Sequence, residues 1–264
     1  MARLHAQDLQ IKYGDRTIVE KLSVEIPDEK ITVIIGSNGC GKSTVLKAMT
    51  RIIPHQQGAV VLDGELIAKE DTKSLARKIA VLPQTPDSAG ALTVKELVSY
   101  GRFPHQSRFG KLTKRDFDII DWALEVTGTK FFESHPVDSL SGGQRQRVWI
   151  AMALAQETDM IFLDEPTTYL DMAHQLEILE LLQKLNQDEK RTIVMVLHDL
   201  NHAARFADYI IGMKFGQIKT AGTSEEVIRK DVLRELFNID AEIGTDPRTQ
   251  KPICITYNLI RGEN

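Results

Sequence analysis

Hydrophobic positions along the chain follow two periods. "VEKLSVEI" (Val19–Ile26) alternates apolar and polar residues as a half-buried strand does, and "AVVLDGE" (Ala59–Glu65) ends in an Asp-Gly turn. Between them "ITVIIG" (Ile31–Gly36) is continuously apolar and β-branched, which predicts a strand covered on both faces. It runs into a glycine-rich loop, and "STVLKAMTRII" continues as a helix. From about Thr85 to Leu140 the pattern turns helical. In "TKRDFDIIDWALEVTG", Phe117, Ile120, Leu124 and Thr127 fall three and four apart, predicting an amphipathic helix closed by Gly128. Strand-like runs return at "MIFLD" (Met160–Asp164) and "TIVMVLHD" (Thr192–Asp199), separated by the helical "MAHQLEILELLQKLN". The last forty or so residues, with "TSEEVIRKDVLRELF" and "KPICITYNLI", predict two short helices and a terminal strand.

Strands and helices that alternate around buried β runs imply an α/β fold: a mostly parallel sheet with helices on its faces. The helical middle reads as a subdomain inserted into that sheet. The expected layout is a core of residues 1–84 and 159–222, a helical insertion of 85–158 and a C-terminal extension of 223–264.

Composition narrows the partners. The chain has 264 residues and a net charge of −4, so it has no global basic field and nucleic acid is not an expected partner. Its uncharged apolar runs, such as "WIAMALA" (Trp149–Ala155), are far short of the roughly 18 residues a membrane helix needs. The start, "MARLHAQDLQ", lacks the apolar core of a secretion signal. Cys40 and Cys254 are the only cysteines and form no CxxC pair, which argues against a disulfide framework or zinc site and for a reducing cytosol.

The candidate chemistry begins at "GSNGCGKST" (Gly36, Ser37, Asn38, Gly39, Cys40, Gly41, Lys42, Ser43, Thr44), which fits GxxxxGK[ST] after a buried strand and before a helix. Glycines let the backbone turn its N–H groups inward on phosphate oxygens, and the helix adds its positive end. Lys42 is expected on the β- and γ-phosphates of a nucleotide and the Ser43 hydroxyl on Mg²⁺. Asp164, ending an apolar β run, is placed to hold Mg²⁺ through water. Adjacent Glu165 is a second carboxylate able to orient and deprotonate a water. His198 follows another apolar run, and parallel strands collect such ends along one edge. Gln84, in "VLPQTP", is either a Mg²⁺ or water ligand or a turn residue beside two prolines. Tyr13, in "IKYGD", is either an adenine-stacking ring or a turn tyrosine.

A second anion site is suggested by "LSGGQRQR" (Leu140–Arg147). Ser141 and Gln144 have capping-box spacing. Gly142 and Gly143 each cost up to about 1 kcal/mol against alanine in a first helical turn, which fits something approaching the backbone closely. With no lysine, this loop cannot repeat the chemistry of the first.

"GSNGCGKST", "LPQ", "LSGGQ", "IFLDEPTTYLD" and "VLHD" stand in the order found in ATP-binding-cassette (ABC) ATPases, and nearly the whole chain resembles that family. The resemblance implies a P-loop NTPase with a RecA-like core, an N-terminal antiparallel β layer and an inserted helical subdomain. By position, Tyr13 looks like the adenine-stacking aromatic and Gln84 the residue coupling the helical subdomain to Mg²⁺ and a membrane partner. Glu165 resembles the catalytic base, Asp171 the D-loop aspartate and His198 the switch histidine at the γ-phosphate. Ser37 stands where many relatives have proline. Two subunits of such proteins pack head to tail, so Ser141, Gly142, Gly143 and Gln144 are implied to cover ATP held by a partner in a homodimer.

"TVKELVSYGRFPHQ" (Thr93–Gln106), "VDSLSGGQRQRVWIAMALAQ" and "LDEPTTYLD" further resemble ATPase subunits of ferric-siderophore, haem and vitamin B12 importers, the siderophore group most closely. That implies a peripheral protein on the cytoplasmic face of the membrane. Its partners would be a multi-span permease and, indirectly, an extracytoplasmic binding protein. The rival reading, an ABC ATPase acting on nucleic acid or ribosomes, predicts two cassettes, an inserted coiled coil or a basic patch, and the chain carries none of these.

Overall fold

The computed structural model describes residues 3–84, 90–106 and 110–261, and the chain folds as two compact units. Residues 1–69 and 192–264 form the first, and 70–191, inserted between them, form the second. The expected start of the helical insertion, Thr85, lies outside the described residues.

The first unit opens with β1 (Leu4–Tyr13) and β2 (Arg16–Ile26), an antiparallel pair turned at Gly14. β3 (Ile31–Gly36) is buried at every position, as its unbroken apolar run predicts. It leads through the glycine loop into α1 (Lys42–Met49). β4 (Gln57–Leu62) and β5 (Glu65–Leu66) follow, joined at Asp63-Gly64, both with left-handed φ as the Asp-Gly signal requires. β2, β1, β4 and β5 make one antiparallel sheet, the expected N-terminal β layer.

The second unit holds α2 (Thr72–Leu75), β6 (Ile79–Leu82), α3 (Val94–Ser99), α4 (Lys114–Val126), α5 (Gly142–Ala155), β7 (Met160–Leu163) and α6 (Met172–Glu189). β6 and β7 pair in parallel. α4 is the helix expected around "FDIIDWALEV", closed at Gly128 with φ 67°. Phe117, however, is not on its buried face; it is 45% exposed, while Asp116 one residue earlier is buried.

Arg102 explains the shift. This side chain, 2% exposed, donates from Nε to Asp116 Oδ1 at 2.8 Å and from Nη1 to the Ala155 carbonyl at 2.8 Å, the end of α5. The other Asp116 oxygen accepts from the Thr113 amide and hydroxyl, closing the cap of α4. Gly101 presses on α5 so closely that a Cβ would collide with the Met152 carbonyl, and His105 Nε2 bonds the Gln156 carbonyl at 2.8 Å. The segment Tyr100–His105, a 3₁₀ turn, thus staples α4 to α5.

Burial alone would raise the Asp116 pKa, but the Thr113 donors and the Arg102 guanidinium outweigh it and hold it at about 2, from an ordinary 3.8. A depressed carboxylate stabilises the fold above its ordinary pKa, and that share is lost as pH falls through about 2. Arg102→Met leaves a buried carboxylate unpaired and is expected to destabilise by about 3 to 5 kcal/mol. Thermal melts should show a lowered midpoint at pH 7, with less of the native loss between pH 4 and pH 2.

The chain then returns to the first unit with β8 (Thr192–Val196), α7 (Leu200–Phe206), β9 (Tyr209–Lys214) and β10 (Gln217–Gly222). β3 runs parallel to both β8 and β9, and β10 closes antiparallel on β9. α8 (Ser224–Val227) and α9 (Lys230–Phe237) are the two short helices expected of the C-terminal extension. Where one terminal strand is expected there are two, β11 (Ile239–Thr245) and β12 (Pro252–Leu259), paired as an antiparallel hairpin.

Candidate nucleotide-binding and hydrolysis site

In the first unit the phosphate loop leaves β3 at Gly36. Its φ of 152° and its contacts both demand glycine, since a Cβ would strike the Met213 carbonyl and come within 2.8 Å of Cys40 Sγ. Asn38 and Gly39 are exposed at the loop's tip, and Ser43 and Thr44 are half-buried in the first turn of α1. Lys42 is buried, and its ammonium donates to the Gly36 and Ser37 carbonyls at 2.9 and 3.2 Å. Burial pushes the Cys40 thiol pKa up, with Lys42 opposing.

α1 has no side-chain cap. Gly41 stands at its N-cap with φ 104°. α3, α4 and α5 each carry a full capping box, and α2, α6 and α7 are capped by Asp71, Asp171 and Asp199. α9 also lacks a side-chain cap; what sets α1 apart is the glycine loop that leads into it, and that uncapped start fits the phosphates of ATP. Tyr13 ends β1 half-exposed, suited to stacking. His198 follows β8, exposed, one residue before the cap of α7.

In the second unit Asp164 directly follows β7 with 1% exposure, and its amide donates to the Leu82 carbonyl. Glu165 has φ 56°, a left-handed conformation that costs a non-glycine residue about 1 kcal/mol or more. Its Oε2 accepts from Gln84 Nε2 at 2.6 Å and from the Thr168 hydroxyl at 3.0 Å. Gln84 is thus a partner of the candidate base, and Thr168 is a third member that the sequence pattern does not single out.

The Ser141 box is real: its hydroxyl accepts from the Gln144 amide at 3.3 Å, and Gln144 Oε1 accepts from the Ser141 amide at 3.0 Å. The Gly142 and Gly143 amides, first in the helix, lie outside that box. The two glycines differ in cause. A Cβ on Gly143 would sit 2.5 Å from the His174 ring, whereas at Gly142 the nearest atom is Leu170 Cδ2 at 3.9 Å. His174 is fixed in turn by Asp171, whose Oδ1 receives the His174 amide at 3.0 Å and pairs its Nδ1 at 2.8 Å. These bonds hold the Asp171 carboxyl below its usual range. Ser141–Gln144 and Asp171 are therefore linked through one histidine that the sequence reading passes over.

A family model described as "ABC transporter" matches residues 19–168. The chain belongs to the ABC transporter family. As an ABC ATPase it is 59% identical to the iron(3+)-hydroxamate import ATP-binding protein FhuC of Bacillus subtilis (strain 168), over 100% of this chain and 98% of that protein. The ferric enterobactin transport ATP-binding protein FepC of Escherichia coli (strain K12) is 44% identical, over 97% and 94%. Among solved structures, an inward-facing metal-chelate type ABC transporter superposes with a TM-score of 0.82 at 27% identity, covering 96% of each chain. Among the described residues, no helix of this ABC ATPase is long and apolar enough to cross a membrane.

Proposed function

We propose that this ABC ATPase powers the import of a ferric siderophore, working as a head-to-tail homodimer on a multi-span permease at the cytoplasmic face of the membrane. An extracytoplasmic binding protein would deliver the cargo, and nucleic acid plays no part. The observation that carries the cargo class is the 59% identity, end to end, to a protein named for iron(3+)-hydroxamate import.

In the proposed mechanism Tyr13 stacks on adenine, while the amides of Gly36–Thr44 and the Lys42 ammonium bind the phosphates. Ser43, Gln84 and Asp164 offer hydroxyl, amide and carboxylate oxygens, a hard donor set that suits Mg²⁺. Bound Mg²⁺ would neutralise charge on the phosphates. Glu165, oriented by Gln84 and Thr168, takes the proton of the attacking water, and His198 contacts the γ-phosphate. Ser141, Gly142, Gly143, Gln144 and Asp171 act on the nucleotide of the partner subunit. Tyr100 and Phe103, 54% and 70% exposed on the 3₁₀ turn that follows α3, support a permease contact there.

A strain lacking its own siderophore ATPases, supplied with this chain and its neighbouring permease genes, should take up ⁵⁵Fe-hydroxamate, and the Lys42→Ala chain should not. Uptake that is equal with and without the chain would reject the cargo class.

A further inference from the structure

The C-terminal hairpin grips the helix that follows His198 at both ends. His198 itself lies between two fixed points. On one side the Leu197 amide is tied to the Ile34 carbonyl at 3.2 Å, on the buried strand edge. On the other, Asp199 caps α7 by accepting from the His202 amide at 2.8 Å. Where His198 stands is therefore set by where α7 stands. A helix of this length is too short to hold itself in place, so its end contacts decide its position.

Those contacts come from β12 and the turn before it. In the first turn of α7, Asn201 pairs with Cys254 twice: Nδ2 donates to the Cys254 carbonyl at 3.1 Å, and Oδ1 accepts from the Cys254 amide at 2.8 Å. At the far end, Lys251 Nζ donates to the Arg205 and Ala207 carbonyls at 3.0 and 2.8 Å, capping the helix with a cation where its dipole is negative. Burial pulls the Lys251 pKa down, while Asp208 and Glu225 oppose that shift. Between hairpin and helix lies a cavity of about 330 Å³. Its lining includes His198, Asp199 and Asn201, Phe237 of α9, and Cys254 and Tyr257 of β12.

We propose that the C-terminal hairpin is a positioning element for His198, with Asn201 and Lys251 as positioning residues that act through α7. A hairpin that merely closed the chain would be expected to bond the sheet; this one spends an amide side chain and a half-buried ammonium on the two ends of a single short helix. The proposal rests on the reading of His198 as the γ-phosphate contact.

The test uses the full chain with Asn201→Ala, Lys251→Met, Lys251→Arg and His198→Ala, read by steady-state phosphate release over a range of ATP concentrations and by hydrogen exchange. Asn201→Ala and Lys251→Met should exchange faster over residues 198–206 than the native chain does. They should keep the KM for ATP within about twofold while kcat falls on the order of tenfold, the effect of a small misplacement. Lys251→Arg, which keeps a cationic donor, should recover most of that loss. In the His198→Ala background, Asn201→Ala should cost nothing more, because both act through one group. Native kcat in the two clamp variants, or an undiminished loss in the His198→Ala background, overturns the positioning role. Native turnover in His198→Ala alone overturns the reading of His198 and the proposal with it, a result distinguishable because it needs no clamp variant.

Discussion

Glu165→Gln is expected to bind ATP as tightly as the native chain, within about threefold, and to hydrolyse it at least a hundredfold more slowly. The substitution keeps the shape and one acceptor oxygen. The Gln84 and Thr168 donors, at 2.6 and 3.0 Å from Oε2, can therefore still hold the side chain where it is. The left-handed backbone of residue 165 is common to both side chains, so the strain stored there is unchanged. What disappears is the carboxylate's basicity, which the proposed role of taking a proton from water requires. Phosphate release and fluorescent-nucleotide binding on the same preparation separate the two effects. Turnover near the native rate would remove Glu165 from the role of base and leave ATP binding untouched. A loss of binding equal to the loss of rate would instead make it a structural residue.

The second large effect comes from mixing two inactive proteins. Ser141→Arg removes the acceptor that caps α5, a loss of about 1 kcal/mol, and places a cation and a long side chain over the Gly142 and Gly143 amides. Lys42→Ala removes the ammonium held at the Gly36 and Ser37 carbonyls. Each should be inactive alone. In the proposed head-to-tail pair, half of the dimers in an equal mixture would be mixed, and each of those would have one intact phosphate loop facing one intact Ser141 helix. Activity of up to about a quarter of native should return. If the mixture stays as inactive as its parts, the head-to-tail arrangement loses its support. Ser141→Ala is the milder companion: it removes the cap without covering the amides, and should retain more activity than Ser141→Arg.

The sequence reveals features made by neighbours in the chain. The phosphate loop is a strand, a turn and a helix in succession, so its glycines and lysine could be assigned from spacing alone. The Ser141 box spans four residues and is equally visible. Elements whose logic lies in distant partners were not. Phe117 fits the apolar period of α4, yet Asp116 takes the buried place because Arg102 reaches it from another element. A buried carboxylate carries no hydrophobic signal. Strand β9 is apolar but interrupted by Gly212, which reads as a break. In the structure a Cβ there would press on Leu236 and Thr220, so the interruption is a packing requirement. Gly143 shows the same limit in reverse. Its cost in a helix suggests a close visitor, and part of the answer is His174 of the same chain. The Asn201–Cys254 pairing joins residues 53 apart and has no periodicity to betray it.

The helix that begins at Gly41 brings a thermodynamic bias with it. Because no side chain caps that helix start, an anion bound there adds stability to a helix that is already formed. Occupancy then becomes a reserve against unfolding: a ligand at a hundred times its dissociation constant adds about 2.7 kcal/mol to the native state. The protein's heat tolerance would track the cell's nucleotide supply, and starvation would loosen the machine as well as idle it.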